Sequence, residues 1–400
     1  MAGRREGDPP TRALEERDPE LLLQPADLVT QGGLGDVKPG GRATEMQLLR
    51  DRDEVVHQAQ IDSFDRRNLP IGRQSVLDTA GGGGDDAAMT KLLAAGLVLL
   101  ATAPLAGAAS EVRMHSLPGP VAFPESIGAD PRTGAFFTGS LIDGTLYRGD
   151  LAAEEARVFL PAGSDGRTSV AGVKVDADSR IWVADAFNGR VLVYDERGAL
   201  QHVFVLAGPG TPTVNDIAFT RGSAYVTDSA RPFLYRISID EAARPGTTTL
   251  QPWLDVSGSV VYSTGEGPFG VNLNGIVASP DGATLLTVQT NTGKLFRVDT
   301  ATRVISPVEV VRDGDLLFGD GLLRVGDHLY VARNAANEIV KLTLGAGWTT
   351  VRVDRTVTNP AFAFPTALAE LRGRLLVANS QLDAGNDPTL PFTVVDLPLP

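Results

Sequence analysis

From about residue 112 onward, short runs of β-branched and aromatic residues recur between turn residues, at lengths that suit strands rather than helices. The plainest run returns six times: Ala135 to Thr138, Ile181 to Asp185, Ala224 to Asp228, Leu285 to Val288, Leu329 to Ala332 and Leu375 to Asn379. A turn such as Asp176 to Arg180 or Ser279 to Gly282 precedes each run, and a small-apolar strand such as Gly172 to Val175 or Gly275 to Ala278 precedes the turn. A Gly or Asn turn and a third strand follow, as in Arg190 to Tyr194 and Lys294 to Val298. Several repeats add a fourth, outer strand, such as Ala156 to Phe159 and Gln201 to Val205.

Aligning the starts of the innermost strands gives Glu125, Ala171, Asn215, Asn274, Asp320 and Pro365, in steps of 46, 44, 59, 46 and 45 residues. A period near 45 with four strands per unit predicts an all-β, six-bladed β-propeller over residues 112–398. The long step predicts an insertion between Asp255 and Asn272, on the face where inner strands begin, carrying Tyr262 and Phe269. The last repeat lacks an outer strand, and Val112 to Leu117 is predicted to supply it and close the ring.

Residues 1–88 differ in kind. They hold 11 basic and 17 acidic residues and one aromatic, Phe64, so they have almost nothing to pack. Only Ala43 to Gln60 shows helical periodicity. Next come Met89-Thr-Lys91, an apolar run from Leu92 to Leu105 and Ala106-Gly-Ala108, the three parts of a secretory signal peptide over residues 89–108. A signal needs to be N-terminal, so translation is expected to start at Met89. Gly81 to Asp86, encoded by GGN and GAY codons, would place a purine-rich ribosome-binding stretch just upstream. The expected product is exported, secreted or periplasmic, begins near Ala109 and keeps no membrane span. The other reading is a disordered extension over residues 1–88 followed by a membrane anchor in the apolar run that ends at Ala109.

Composition narrows the chemistry. A net charge of −13 disfavours a nucleic-acid partner. The absence of cysteine removes disulfides, thiolate metal sites and thiol nucleophiles. Four scattered histidines, at 57, 115, 202 and 328, do not build a zinc centre. Gly163-Ser-Asp-Gly166 lacks the strand-to-helix turn of a nucleophile elbow, and Arg148, Arg236 and Arg297 recur at a half-exposed strand end.

Inner-strand starts converge on a propeller's axis. Four of the six, Glu125, Asn215, Asn274 and Asp320, carry oxygen donors, a set that suits a hard divalent cation, Ca2+ first, with Zn2+, Mg2+ or Mn2+ as alternatives. Without a cation, Glu125 and Asp320 would repel each other. Taken singly, Asn215-Asp216, Asn274-Gly275 and Asp320-Gly321 also read as turn dipeptides.

Phe123-Pro-Glu125, Val214-Asn-Asp216, Asn274-Gly-Ile-Val-Ala-Ser-Pro-Asp-Gly282 and Gly319-Asp-Gly321 together resemble, in order, motifs of the regucalcin and gluconolactonase (senescence marker protein) family of six-bladed propellers, over roughly residues 120–398. The resemblance implies that Glu125, Asn215, Asn274 and Asp320 hold a divalent cation. The chain departs from the family at Glu125-Ser-Ile127, where Glu-Gly-Pro is common, and at Thr213, where sugar-lactonases carry Arg. The expected function is a monomeric, exported, metal-dependent lactonase or esterase acting on a small molecule. Asp320 or a nearby carboxylate would be the proton acceptor, with Asn215, Tyr262 and Phe269 at the substrate. The alternative is a non-catalytic propeller with a structural cation that binds a protein or glycan through its top-face loops.

Overall fold

The computed structural model describes residues 111–265, 270–311 and 314–400. The expectations for residues 1–88, for the signal peptide at 89–108 and for Phe269 lie outside the described residues. Six small, mainly antiparallel sheets make a six-bladed β-propeller. The inner strands are Pro124–Asp130, Gly172–Val175, Val214–Phe219, Leu273–Ala278, Gly319–Val325 and Pro365–Leu371, one per blade in chain order.

The repeat has a direct cause in packing. The second strand of each blade is covered on both faces by neighbouring blades, so Ala135–Ser140 and Ile181–Asp185 are buried along their whole length and read as continuous apolar runs instead of alternating ones. Each of the six interfaces between blades has its own core. Phe137 and Leu146 meet Val183 and Leu192 between blades one and two, and Trp182 and Phe204 meet Ile217 and Tyr235 between two and three. Tyr225 meets Phe296, Leu286 meets Leu342, and Tyr330 meets Val395 across the next three interfaces. Phe136 and Ile127 meet Phe392 and Leu117 where blade one joins blade six.

That junction closes the ring. Arg113–Leu117 pairs antiparallel with Phe392–Asp396, so the first described strand is the outer strand of the last blade. His115 on this strand is buried, donates from Nδ1 to the Ala153 carbonyl at 2.6 Å and lies against Phe136. Arg374 bonds Asp396 and the Glu111 carbonyl, tying both ends of the described chain together.

The long third repeat is built differently from its sequence reading. Part of its extra length is a short helix, Ile239–Ala242, and a strand, Gly246–Leu250, which crosses to blade two and adds in parallel to Leu200–Leu206. Only then does the chain return to blade three at Leu254–Asp255. Glu309–Val311 does the same between blades four and five, pairing in parallel with Thr350–Thr358. Both strands cover an outer edge that would otherwise offer unpaired backbone groups.

Candidate metal centre in the channel

The antiparallel register slips at the start of the inner strand in five of the six blades: between Pro124 and Ser126, Val214 and Ile217, Leu273 and Ile276, Gly319 and Leu322, and Pro365 and Ala367. The residues inside these bulges are Glu125, Asn215-Asp216, Asn274-Gly275, Asp320-Gly321 and Thr366. A bulge takes a residue out of the ladder and re-aims its side chain. The three dipeptides therefore sit in inner strands, not in turns.

Glycine brings the strands close enough to converge. A Cβ on Gly275 would lie 2.4 Å from the Asp320 carbonyl oxygen, one on Gly321 would lie 2.6 Å from that of Thr366, and one on Gly172 would lie 2.1 Å from that of Asn215. These glycines allow backbone to pass against backbone around a narrow axis. Glu125, Asn215, Asn274 and Asp320 are all buried, at 7, 6, 4 and 4% exposure.

Their partners fix which atoms face inward. Ser229, Thr290 and Asn334 each occupy the first position after the second strand of blades three, four and five. Ser229 Oγ spends its proton on the Leu273 carbonyl at 2.8 Å, and Thr290 Oγ1 spends its own on the Gly319 carbonyl at 2.8 Å. Each hydroxyl can then only accept, and it accepts the amide N–H of Asn215 at 3.0 Å or of Asn274 at 3.1 Å. Both nitrogen ends are thus bonded to hydroxyls of the second-strand ends, and the Asn274 amide also donates toward Asp320, while the amide oxygens remain available as acceptors. In blade five, Asn334 Nδ2 donates to Asp320 Oδ2 at 2.8 Å.

Near these donors lie two charged residues that the sequence alone did not single out for the site. Lys174, on the blade-two inner strand, sets its Nζ 2.9 Å from Asp216 Oδ1, and Asp216 Oδ2 accepts the Ile276 N–H at 3.0 Å. Burial raises the Glu125 carboxyl well above its ordinary value, the charges of Asp320 and Asp216 raise it further, and Lys174 offsets part of the rise. Burial also raises Asp320, to about 7, against the lowering effect of the Asn334 and Asn274 amides and with a further raising contribution from Asp216.

The donor set fits a hard cation: two carboxylates and two amide oxygens whose nitrogens are already bonded. Among the described residues no side-chain or backbone donor hydrogen-bonds the Glu125 carboxyl, which leaves its oxygens open to the channel. No group of three or more His, Cys, Asp or Glu arranged for a metal occurs among the described residues, so a cation here would depend on the amide oxygens as well as the acids.

Tyr262 reaches the interface between blades three and four, and its hydroxyl donates to the Asp228 carbonyl at 2.9 Å. Burial raises that phenol well above its ordinary range. The inserted loop is fastened by Asn272, fully buried, whose Nδ2 donates to the carbonyls of Ser229, Ser263 and Gly270 at 3.0 Å each and whose Oδ1 accepts the Ser263 N–H at 2.7 Å. Beside this loop a cavity of about 450 Å³ is lined by Ser259, Val261, Gln289 and Lys294, among others, and by none of the four oxygen donors. His202 is buried against Phe204, with Nδ1 donating to the Arg244 carbonyl at 2.7 Å, and is a packing residue.

No protein-family model matches the chain, and no curated protein does. Among solved structures, the major allergen Mala s 1 of Malassezia sympodialis is similar at 16% identity and a TM-score of 0.52, over 71% of this chain and 95% of the other. Virginiamycin B lyase from Staphylococcus aureus is similar at 14% identity and a TM-score of 0.48, over 72 and 99%. The first of these likenesses agrees with the propeller fold and shows nothing finer.

Proposed function

We propose that the protein is an exported, divalent-cation-dependent hydrolase of the lactonase or esterase type, working on a small molecule at the channel. The observation that carries this reading is the Glu125 carboxyl group, little exposed and without a hydrogen-bond donor, close enough to Asp320 to feel its charge, on the same ring of inner-strand bulges as Asn215 and Asn274, whose nitrogens are bonded to Ser229 and Thr290. Glu125, Asn215, Asn274 and Asp320 would hold the cation, which supplies Lewis acidity when bound. Asp320 would accept the proton of the attacking water, as the carboxylate of the set that is oriented by a neighbouring amide. Asn334 would hold the Asp320 carboxylate in place during the transfer. The motif resemblance to the regucalcin and gluconolactonase family supports the same reading, while Thr213, in place of the lactonase Arg, argues for a substrate other than a sugar acid.

The deep burial of all four donors favours a second reading, a structural cation in a propeller that binds a protein or glycan through its loops. Metal analysis of the purified full chain, followed by a lactone and ester panel with and without chelator, separates the two. Turnover abolished by chelator and by Asp320→Asn supports the hydrolase. Bound metal with no turnover of any substrate supports the structural ion, and a chain with no affinity for any divalent cation would refute both.

A further inference from the structure

The oxygen site leaves one charged group in the channel without a role. Lys174 stands in a strand otherwise made of Gly172, Val173 and Val175, and its side chain is 19% exposed. Its strand lies hard against blade one: a Cβ on Gly128 would be 2.9 Å from Lys174 Cα. The side chain therefore starts from a fixed point and ends 2.9 Å from Asp216, which already accepts the Ile276 N–H. An ammonium with this little access to water still loses much of its hydration, and an apolar residue would fill the same space without that cost.

Charge counting gives the lysine a purpose. Glu125, Asp216 and Asp320 carry three negative charges when ionised, and Lys174 reduces the sum to two, the charge of one divalent ion. Resting on the oxygen-site reading above, we infer that Lys174 sets the charge of the channel, matching it to a single divalent cation and disfavouring trivalent ions. The ammonium is not a ligand. Standing beside Asp216, it would repel a trivalent ion at the oxygen site more strongly than a divalent one.

The test is calorimetric titration of the full chain at pH 8, after chelator treatment, with CaCl2 and with LaCl3. Lys174→Gln and Lys174→Met should raise the La3+ to Ca2+ affinity ratio by about tenfold or more, and Lys174→Arg should keep the wild-type ratio. The double variant Lys174→Met/Asp216→Asn restores the charge count while removing the pair together. It should return the ratio to the wild-type value, and it provides the measurement if the single variants fail to fold. An unchanged ratio in the single variants, or a raised one in the double, overturns the role of Lys174 and leaves the oxygen site standing where wild type binds Ca2+. If neither wild type nor any variant binds either ion, both readings fall. If wild type binds neither ion but Lys174→Met binds Ca2+, the lysine is itself the resident cation, which upholds its charge-setting role and overturns the metal-dependent hydrolase.

Discussion

Replacing Gly275 by alanine puts a methyl group where the structure has the backbone of the next blade. The added Cβ would lie 2.4 Å from the Asp320 oxygen, 2.6 Å from the Leu322 nitrogen and 3.0 Å from the Gly321 carbonyl carbon. Comfortable carbon contacts are about 3.5 Å or more, so the two inner strands would have to part by about 1 Å. All three neighbours are main chain, which cannot swing aside as a long side chain can, and the cost belongs at the upper end of the range for overpacking, about 3 kcal/mol. At about 2 °C per kcal/mol for a chain of this size, the melting temperature should fall by about 6 °C. Gly222→Ala is the control, because a Cβ there meets nothing within 4 Å and the change should stay within about 0.5 kcal/mol. Thermal unfolding followed by circular dichroism measures both. A Gly275→Ala protein that melts with wild type would refute the argument that this glycine is there for close approach of the inner strands. Because Asn274 is the preceding residue, calcium affinity should fall in Gly275→Ala and hold in Gly222→Ala.

Asp320→Ala should weaken calcium binding in calorimetry more than Asn215→Ala, since it removes a full charge and not a dipole; equal losses would count against a cation site. The fold favours protonated Asp320, whose contribution to stability is complete below the unfolded value of 3.8 and is lost as pH rises through about 7. In chelator, urea-measured stability should therefore decline from pH 4 to pH 7, by at most on the order of 4 kcal/mol, and Asp320→Asn should flatten the decline. Deleting Arg113 to Leu117 strips the partner from Phe392–Asp396 and the fully buried Leu117 from its core, and should destabilise by more than the 2–5 kcal/mol typical of one buried leucine cut to alanine. Tyr262→Phe loses the bond to the Asp228 carbonyl, so the protein should lose about 1 kcal/mol in denaturant titration with calcium affinity unchanged.

The sequence by itself determined the ring. A strand covered on both faces must be apolar along its length, and a blade must repeat that run after its turns, so Ile181 to Asp185 and its five counterparts stood out in period and number. The same alignment placed Glu125, Asn215, Asn274 and Asp320 at one blade position, and comparing the residues after each second strand would have added Ser229, Thr290 and Asn334. The tertiary structure alone decided the rest. Whether Asn274-Gly275 is a turn or a bulge depends on which strand pairs with it, which local sequence does not encode. Gly246–Leu250 and Glu309–Val311 pair in parallel with strands of other blades, and no local pattern announces a partner that far along the chain. Lys174 looks like a solvated lysine in a short strand. Only the packing of blade two on blade three brings it within 2.9 Å of Asp216, because the two inner strands are more than forty residues apart in sequence and meet through a core that local sequence does not specify.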